Sequence, residues 1–119
     1  MYPMNEPTLQ TLNDADFYSV IQATSSASIV FFTSEGCNSC RYWKRLLSQL
    51  AAKRPTLHIF AVDAQQSMGL TQEYEVFHLP ALFVFMNGQY HAPLQCEASL
   101  DTINRTLDKI LAEPAQDAP

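Results

Sequence analysis

Long apolar runs, basic side chains and cysteines are all scarce in this chain of 119 residues. No apolar stretch approaches the roughly 20 residues of a membrane-spanning helix, so no membrane partner is expected. Seven Lys and Arg face twelve Asp and Glu, and the net charge of −5 argues against nucleic acid as a partner. Three cysteines are too few for a disulfide scaffold. The length suits one domain with one core, and no repeat or second domain is visible.

The two ends of the chain differ in composition from the rest. Residues 1–7 are polar and contain proline, without the charged and apolar regions of a secretory signal peptide. We therefore expect a cytoplasmic protein, whose cysteines are kept reduced at rest. The stretch 113–119 is rich in Ala and Pro. The predicted domain covers residues 8–112, with flexible segments at 1–7 and 113–119.

The most informative feature is a C-x-x-C pair, Cys37 and Cys40, between an apolar run and a stretch with helical spacing. Such a pair either closes a small disulfide or supplies two of four metal ligands, and the strand-then-helix context favours the disulfide. At a helix N-cap, the sulfur of Cys37 would face unpaired N–H groups and the positive end of the helix dipole. We therefore expect a lowered pKa and a nucleophilic role for Cys37, with Cys40 resolving the mixed disulfide.

Two other interpretations of the pair stay open. The cysteines would be inert if both were buried, and they would bind a metal if two further ligands approached them. None of the candidate ligands has zinc-finger spacing to the pair, although two chains sharing one ion remain an alternative. The candidate ligands elsewhere in the chain are His58, His78, His91 and Cys96.

Apolar periodicity predicts an α/β fold with the order β-α-β-α-β-α-β-β-α, which is a central mixed sheet with helices on both faces. The unbroken β-branched and aromatic run in 28–33 is typical of a strand buried on both faces. Asn87-Gly88 predicts a hairpin, and Pro93 confines the following strand to an edge. The predicted strands cover 8–12, 28–33, 57–62, 81–86 and 89–95, and the predicted helices cover 14–23, 41–53, 67–74 and the stretch that Ser99 caps.

Four features in register resemble the thioredoxin family over about residues 8–111. They are the strand, the C-x-x-C pair with its helix, the Leu79-Pro80 step before the next strand, and the Asn87-Gly88 hairpin after it. The resemblance implies a thioredoxin fold and a thiol–disulfide oxidoreductase acting on protein disulfides. It implies no cofactor beyond the redox-active disulfide, and an upstream reductase or glutathione that restores the dithiol.

The resemblance also assigns roles to individual residues. It implies that Cys37 and Cys40 are catalytic and that the Leu79-Pro80 peptide bond is cis and packed against the pair. The backbone of Leu79 would pair with an extended substrate segment. The residues implied to contact substrate are Gly36, Asn38, Ser39, Leu79 and Pro80.

The chain departs from the family pattern at the site itself. The family pattern at this site is W-C-G-P-C, whereas this sequence has Gly36 before the first cysteine and Asn38-Ser39 between the two. The place of the family's buried acid is taken by Phe31, and that of its lysine by Ile59. Because no such acid would accept the proton of the resolving cysteine, we expect slower release of the product.

Three further residues are candidate modulators of the pair. Glu35 would raise the thiol pKa or relay a proton, His78 would stabilise the thiolate, and Cys96 takes the place of a family glycine as a third sulfur. Each also has a plainer interpretation, as a loop carboxylate, a surface histidine and an unreactive strand-end cysteine. The alternative functions are a thioredoxin-like binding or adaptor module with little redox activity and a metal-handling Cys pair.

Overall fold

The computed structural model describes residues 9–119, and its elements follow the predicted order. The predicted arm 1–7 and the predicted first strand residue, 8, lie outside the described residues. The strands are β1 (Gln10–Leu12), β2 (Ala27–Thr33), β3 (His58–Asp63), β4 (Ala81–Met86) and β5 (Gln89–Pro93). The helices are α1 (Phe17–Ala23), α2 (Asn38–Lys53), α3 (Met68–Glu73) and α4 (Leu100–Ala112).

The five strands form one mixed sheet in the order β1-β3-β2-β4-β5. β2 pairs with β3 in parallel and with β4 antiparallel, so it lies at the centre, as its unbroken apolar run predicts. The register places Phe32 opposite Ala81. The segment just before β4 therefore lies at the same end of the strands as the segment just after β2. This register brings the Leu79-Pro80 step to the end of the sheet at which the C-x-x-C loop begins.

Helices cover both faces of the sheet, which confirms the predicted architecture. The core on one face is closed by α2 and α4, and the core on the other face is closed by α1 and α3. The buried helical side chains of the first core are Cys40, Trp43, Leu46, Leu47, Leu50, Ile103 and Leu107. Those of the second core are Phe17, Ile21 and Leu70.

The first helix begins at Phe17 rather than at Asp14, which the sequence predicts. The side chain of Asn13 accepts from the backbone N–H of Asp16 at 3.1 Å, and the Asp16 carboxylate accepts from Asn13 N–H at 2.7 Å. These local bonds form a turn that competes with the helix. The Asp14 carboxylate instead accepts the Leu70 N–H at 2.9 Å and so caps α3, a helix distant in sequence.

The Asn87-Gly88 hairpin joins β4 to β5, as predicted. Both residues have positive φ, 51° and 83°, which is the backbone of a type I′ turn. A Cβ at position 88 would lie 3.1 Å from the Gln22 Cα, so the close approach of α1 also requires glycine. β5 is the outer strand of the sheet, in agreement with the constraint that Pro93 sets.

The chain after α4 turns back along the sheet. Residues 113–119 are exposed, and the backbone N–H of Gln116 donates to the His91 carbonyl in β5 at 2.7 Å. The flexibility that the sequence predicts for this segment stays a prediction. The bond to β5 forms because an edge strand leaves carbonyl groups free to accept such bonds. Within 9–119, no helix is long and apolar enough to cross a bilayer.

Candidate functional site

The cysteine pair lies where the central strand gives way to α2. Cys37 is the N-cap residue of α2 with extended backbone, and the N–H of Cys40 donates to its sulfur at 3.2 Å. The Cα atoms are 5.2 Å apart and the sulfur atoms form a disulfide. The geometry therefore puts the Cys37 sulfur against the unpaired N–H groups and the positive dipole end of a helix of 16 residues.

The two cysteines differ in exposure. Cys37 is partly exposed, whereas Cys40 is only 2% exposed and belongs to the core cluster that includes Phe31 and Trp43. An incoming sulfur therefore reaches Cys37 first, and Cys40 lies behind it. This order matches the one that disulfide exchange requires of an attacking and a resolving thiol.

A hydroxyl lies beside the more exposed sulfur. The Oγ of Ser39 is 3.5 Å from the Sγ of Cys37, within hydrogen-bonding range for sulfur. The family resemblance implies only substrate contact for Ser39 and does not predict this interaction. The signal is its position two residues after a cysteine at a helix N-cap, where the side chain turns back toward the cap.

Among residues 9–119, no acid is buried beneath the pair. Phe31 and Ile59 are 1% and 7% exposed and contribute only apolar atoms. In the part of the chain that the structure describes, the buried polar residues are three serines, Ser28, Ser48 and Ser67. The site therefore holds its cysteines over an apolar floor, in which a proton from Cys40 finds no buried carboxylate.

The loop before β4 forms the second side of the site. The Leu79-Pro80 peptide bond is cis, and both residues are partly buried. Leu79 packs against the same core cluster as Cys37. The other residues implied to contact substrate, Gly36 and Asn38, are exposed around the first cysteine.

A groove of about 590 Å³ runs from this loop toward the end of β5. Pro80, His78 and Cys96 line it together, with Trp43 also in its wall. Phe77, also in the wall, is 82% exposed, which makes it a large aromatic surface two residues before Leu79 rather than the packed side chain that its apolar character predicts. The groove thus collects two of the three candidate modulators on the proline side of the pair.

The third candidate modulator is separate from this groove. Glu35 is exposed in the loop before Cys37 and does not line the groove. The structure therefore divides the candidates between two sides, with Glu35 on the chain that leads into α2.

The environment of Cys96 differs from that of the pair. It is the free cysteine of the chain and is partly buried. Burial raises the pKa of its thiol, a hydrogen bond with Thr106 offsets part of that rise, and the negative charge of Glu97 adds to it. Cys96 is therefore held largely as the protonated thiol at neutral pH.

Metal-ligating side chains do not cluster at the site. Among residues 9–119, no group of three or more His, Cys, Asp or Glu side chains converges closely enough to hold an ion. The candidate ligands that the sequence offers are instead distributed over β3, the loop before β4, β5 and the segment after it. Together, the described fold, the capped C-x-x-C pair and the adjacent X-Pro loop define the class of thioredoxin-fold thiol–disulfide proteins.

Comparison with known proteins identifies the family. The Thioredoxin family model matches residues 8–109, so the chain belongs to the thioredoxin family, whose members are generally thiol–disulfide oxidoreductases. The chain is 32% identical over 79 residues to the thioredoxin of Staphylococcus aureus, covering 66% of this chain and 74% of that protein. It is 31% identical over 61 residues to an H-type thioredoxin of Fagopyrum esculentum, covering 51% of this chain and 53% of that relative.

A solved structure agrees with the fold. The thioredoxin from Trypanosoma brucei brucei superposes with a TM-score of 0.75 at 18% identity, covering 95% of this chain and 99% of that chain. The likeness confirms the predicted thioredoxin fold, including its mixed sheet and flanking helices.

Proposed function

We propose that this chain exchanges thiols and disulfides on protein substrates through Cys37 and Cys40. The observation that carries the proposal is the Cys37 sulfur at the N-cap of α2, partly exposed, with Cys40 buried one turn behind it. A helix N-terminus favours a thiolate, and the thiolate is the form that attacks a disulfide.

The reaction proceeds in two exchanges. The Cys37 thiolate attacks one sulfur of a substrate disulfide, forming a mixed disulfide and releasing the other substrate sulfur as a thiolate. The Cys40 thiolate then attacks the Cys37 sulfur, closing the internal disulfide and releasing the second substrate sulfur. The substrate gains two electrons and, at neutral pH, two protons. Because Phe31 takes the place of the acid, the proton of Cys40 passes to water or to another group.

Substrate is held along the proline side of the pair. An extended segment pairs with the backbone of Leu79, while Gly36, Asn38 and Ser39 contact it around the attacked sulfur. Phe77, with 82% of its surface exposed, supplies an aromatic contact in the groove that Pro80 also lines. Substrate segments with apolar side chains therefore gain the most binding free energy from contact with Phe77.

The remaining parts of the proposal concern partners and location. The disulfide itself is the redox group, so the chain needs no bound cofactor. An upstream reductase or glutathione returns the pair to the dithiol, and the protein acts in the reducing cytoplasm. The partners are disulfide-containing proteins rather than nucleic acid or membranes.

The test is to trap the mixed disulfide. We expect Cys40→Ser, mixed with a disulfide-bonded protein such as insulin, to accumulate a covalent adduct that dithiothreitol reverses and mass spectrometry detects. The double variant Cys37→Ser with Cys40→Ser is the control for attack by Cys96, and it should form no adduct. An adduct of equal yield in both variants would refute Cys37 as the nucleophile.

The reduction potential then decides the direction of electron flow. Equilibration in glutathione buffers followed by alkylation gives the potential from the mass shift. A value near about −270 mV fits a reductant, and a value near roughly −200 mV fits glutathione-coupled exchange. If no internal disulfide formed at any redox potential of the glutathione buffer, the oxidoreductase proposal would fail.

A second candidate is an adaptor module that binds partners through the same face. The apolar floor beneath the pair favours it, since Phe31 and Ile59 contribute no acid or base. An adaptor would keep its partner in the double variant Cys37→Ser with Cys40→Ser, measured by pull-down and quantified by calorimetry. An oxidoreductase would lose turnover in the same variant.

A further inference from the structure

Residues 113–119, here called the return segment, contact the free edge of β5 through Gln116 and reach the groove beside Pro80 through Pro119. We propose that the return segment is an intrachain strap that covers this side of the site and restricts entry to the groove. The proposal rests on the proposed function, because the groove matters for catalysis only if Pro80 lies where substrate binds.

The strap is anchored through one residue of β5. His91 accepts the Gln116 N–H at its carbonyl oxygen, 2.7 Å away. Its ring Nε2 lies 2.9 Å from the carbonyl oxygen of Ile110 and 3.0 Å from that of Glu113. His91 therefore holds the end of α4 with its side chain and the return segment with its backbone.

The direction of the segment brings it to the site. β5 runs from the hairpin toward Cys96, and Pro119 lies three residues beyond Gln116, a reach of about 10 Å for extended chain. Pro119 lines the groove together with Pro80, His78 and Cys96. The segment thus pairs with the strand edge at one point and ends against the proline side of the site.

The composition of the segment suits this position. Its Ala and Pro side chains are small, and Pro pre-sets an extended backbone with little entropy to lose on docking. Pro119 shares the groove with a wall that is largely aromatic and aliphatic and includes Trp43 and Phe77. The segment is exposed, and its backbone contact with β5 is a single hydrogen bond, so the strap opens readily and is displaced by a stronger ligand.

The first experiment measures access to the groove without relying on catalysis. The chain ending at Pro114 keeps α4, its C-cap and both peptide carbonyls that the His91 ring contacts. In the oxidised protein only Cys96 is a free thiol, so iodoacetamide labelling reports on the groove. We expect labelling to be about two- to tenfold faster than in the full chain, the range that one net hydrogen bond corresponds to. An unchanged rate would overturn the strap.

A pair of matched variants tests the anchor. Gln116→Pro removes the N–H that donates to His91 and should label as fast as the shortened chain. Ala115→Pro adds the same ring at the neighbouring position and keeps the Gln116 N–H, so it should label like the full chain. Equal rates in both variants would overturn the anchor that the proposal assigns.

The second measurement is the kcat/KM for insulin reduction, in which the shortened chain should exceed the full chain by a similar factor. Faster labelling with unchanged kcat/KM would overturn the claim that the strap limits substrate entry. If the full and shortened chains both lacked turnover, the proposed function would fail instead. The labelling result would still decide whether the segment covers the groove.

Discussion

Two sulfurs at the same end of this molecule have opposite surroundings. Cys37 caps α2, accepts the Cys40 N–H and has a hydroxyl nearby, so its surroundings favour negative charge on the sulfur. Cys96 is partly buried after β5, where burial raises the pKa of the thiol. Because the two residues have the same chemistry in isolation, we expect the backbone N–H groups around each sulfur to set its reactivity.

The largest expected effect comes from removing each sulfur in turn. Cys37→Ser should lower the rate of insulin disulfide reduction by on the order of a hundredfold or more, because the attacking thiolate is lost. Cys96→Ser should leave the rate within about twofold, since a thiol kept protonated attacks poorly. The rates come from turbidity or coupled assays on both variants. A larger loss in Cys96→Ser than in Cys37→Ser would invert the comparison.

The second effect is a difference in pH dependence. After reduction of the pair, we expect Cys37 to be alkylated at neutral pH at least about tenfold faster than Cys96. Burial raises the pKa of Cys96, so its thiolate fraction and its rate should keep rising into the alkaline range after the rate of Cys37 has levelled. Peptide mapping after timed labelling from pH 6 to 10 separates the two. If the alkylation rates of Cys37 and Cys96 rose in parallel with pH, the expected difference between their thiol pKa values would be contradicted.

A smaller effect should follow from the hydroxyl beside Cys37. Ser39→Ala removes the Oγ that lies 3.5 Å from the Cys37 sulfur and should slow its alkylation by about two- to fivefold at neutral pH. Ser34→Ala is the matched control, because Ser34 contacts Cys37 through a backbone carbonyl that the substitution keeps. Equal rates in the two variants would show that the hydroxyl does not act on the sulfur.

The smallest effect concerns the hydrogen bond that partly offsets the burial of Cys96. Thr106→Val keeps the shape of the side chain and removes its hydroxyl, so the pKa of Cys96 should rise further. We expect Cys96 labelling of the oxidised protein to slow by about twofold at neutral pH. Thr102→Val, on the same helix, is a control for changes in α4. Faster labelling in Thr106→Val would contradict a stabilising bond to the thiolate.

Much of the fold follows from local patterns in the sequence. The run in β2, the Asn87-Gly88 turn and the position of Pro93 each act over a few residues, and the structure places all three as predicted. The N-cap position of Cys37 is equally local, since it needs only a cysteine at the junction of a strand and a helix. Such features can be predicted from the sequence because the residues that cause them lie within a few positions of one another.

Other features depend on residues that are distant in sequence. The sequence predicts that Asp14 begins α1. In the structure its carboxylate instead accepts the N–H of Leu70, 56 residues away, and so caps α3. Phe31 in the sequence already predicts that the family's buried acid is absent beneath the two cysteines. Only the packed sheet shows that, among the described residues, no carboxylate from elsewhere is buried there instead.

Short patterns of polarity, turn residues and cysteine spacing in the sequence predict the family, the order of elements and the C-x-x-C pair. The packing of the chain, in contrast, brings Cys96 into one groove with His78 and Pro80, and it brings Gln116 to β5 and Pro119 to that groove. An edge strand offers its free carbonyls to any segment, so its partner depends on where the chain emerges from α4.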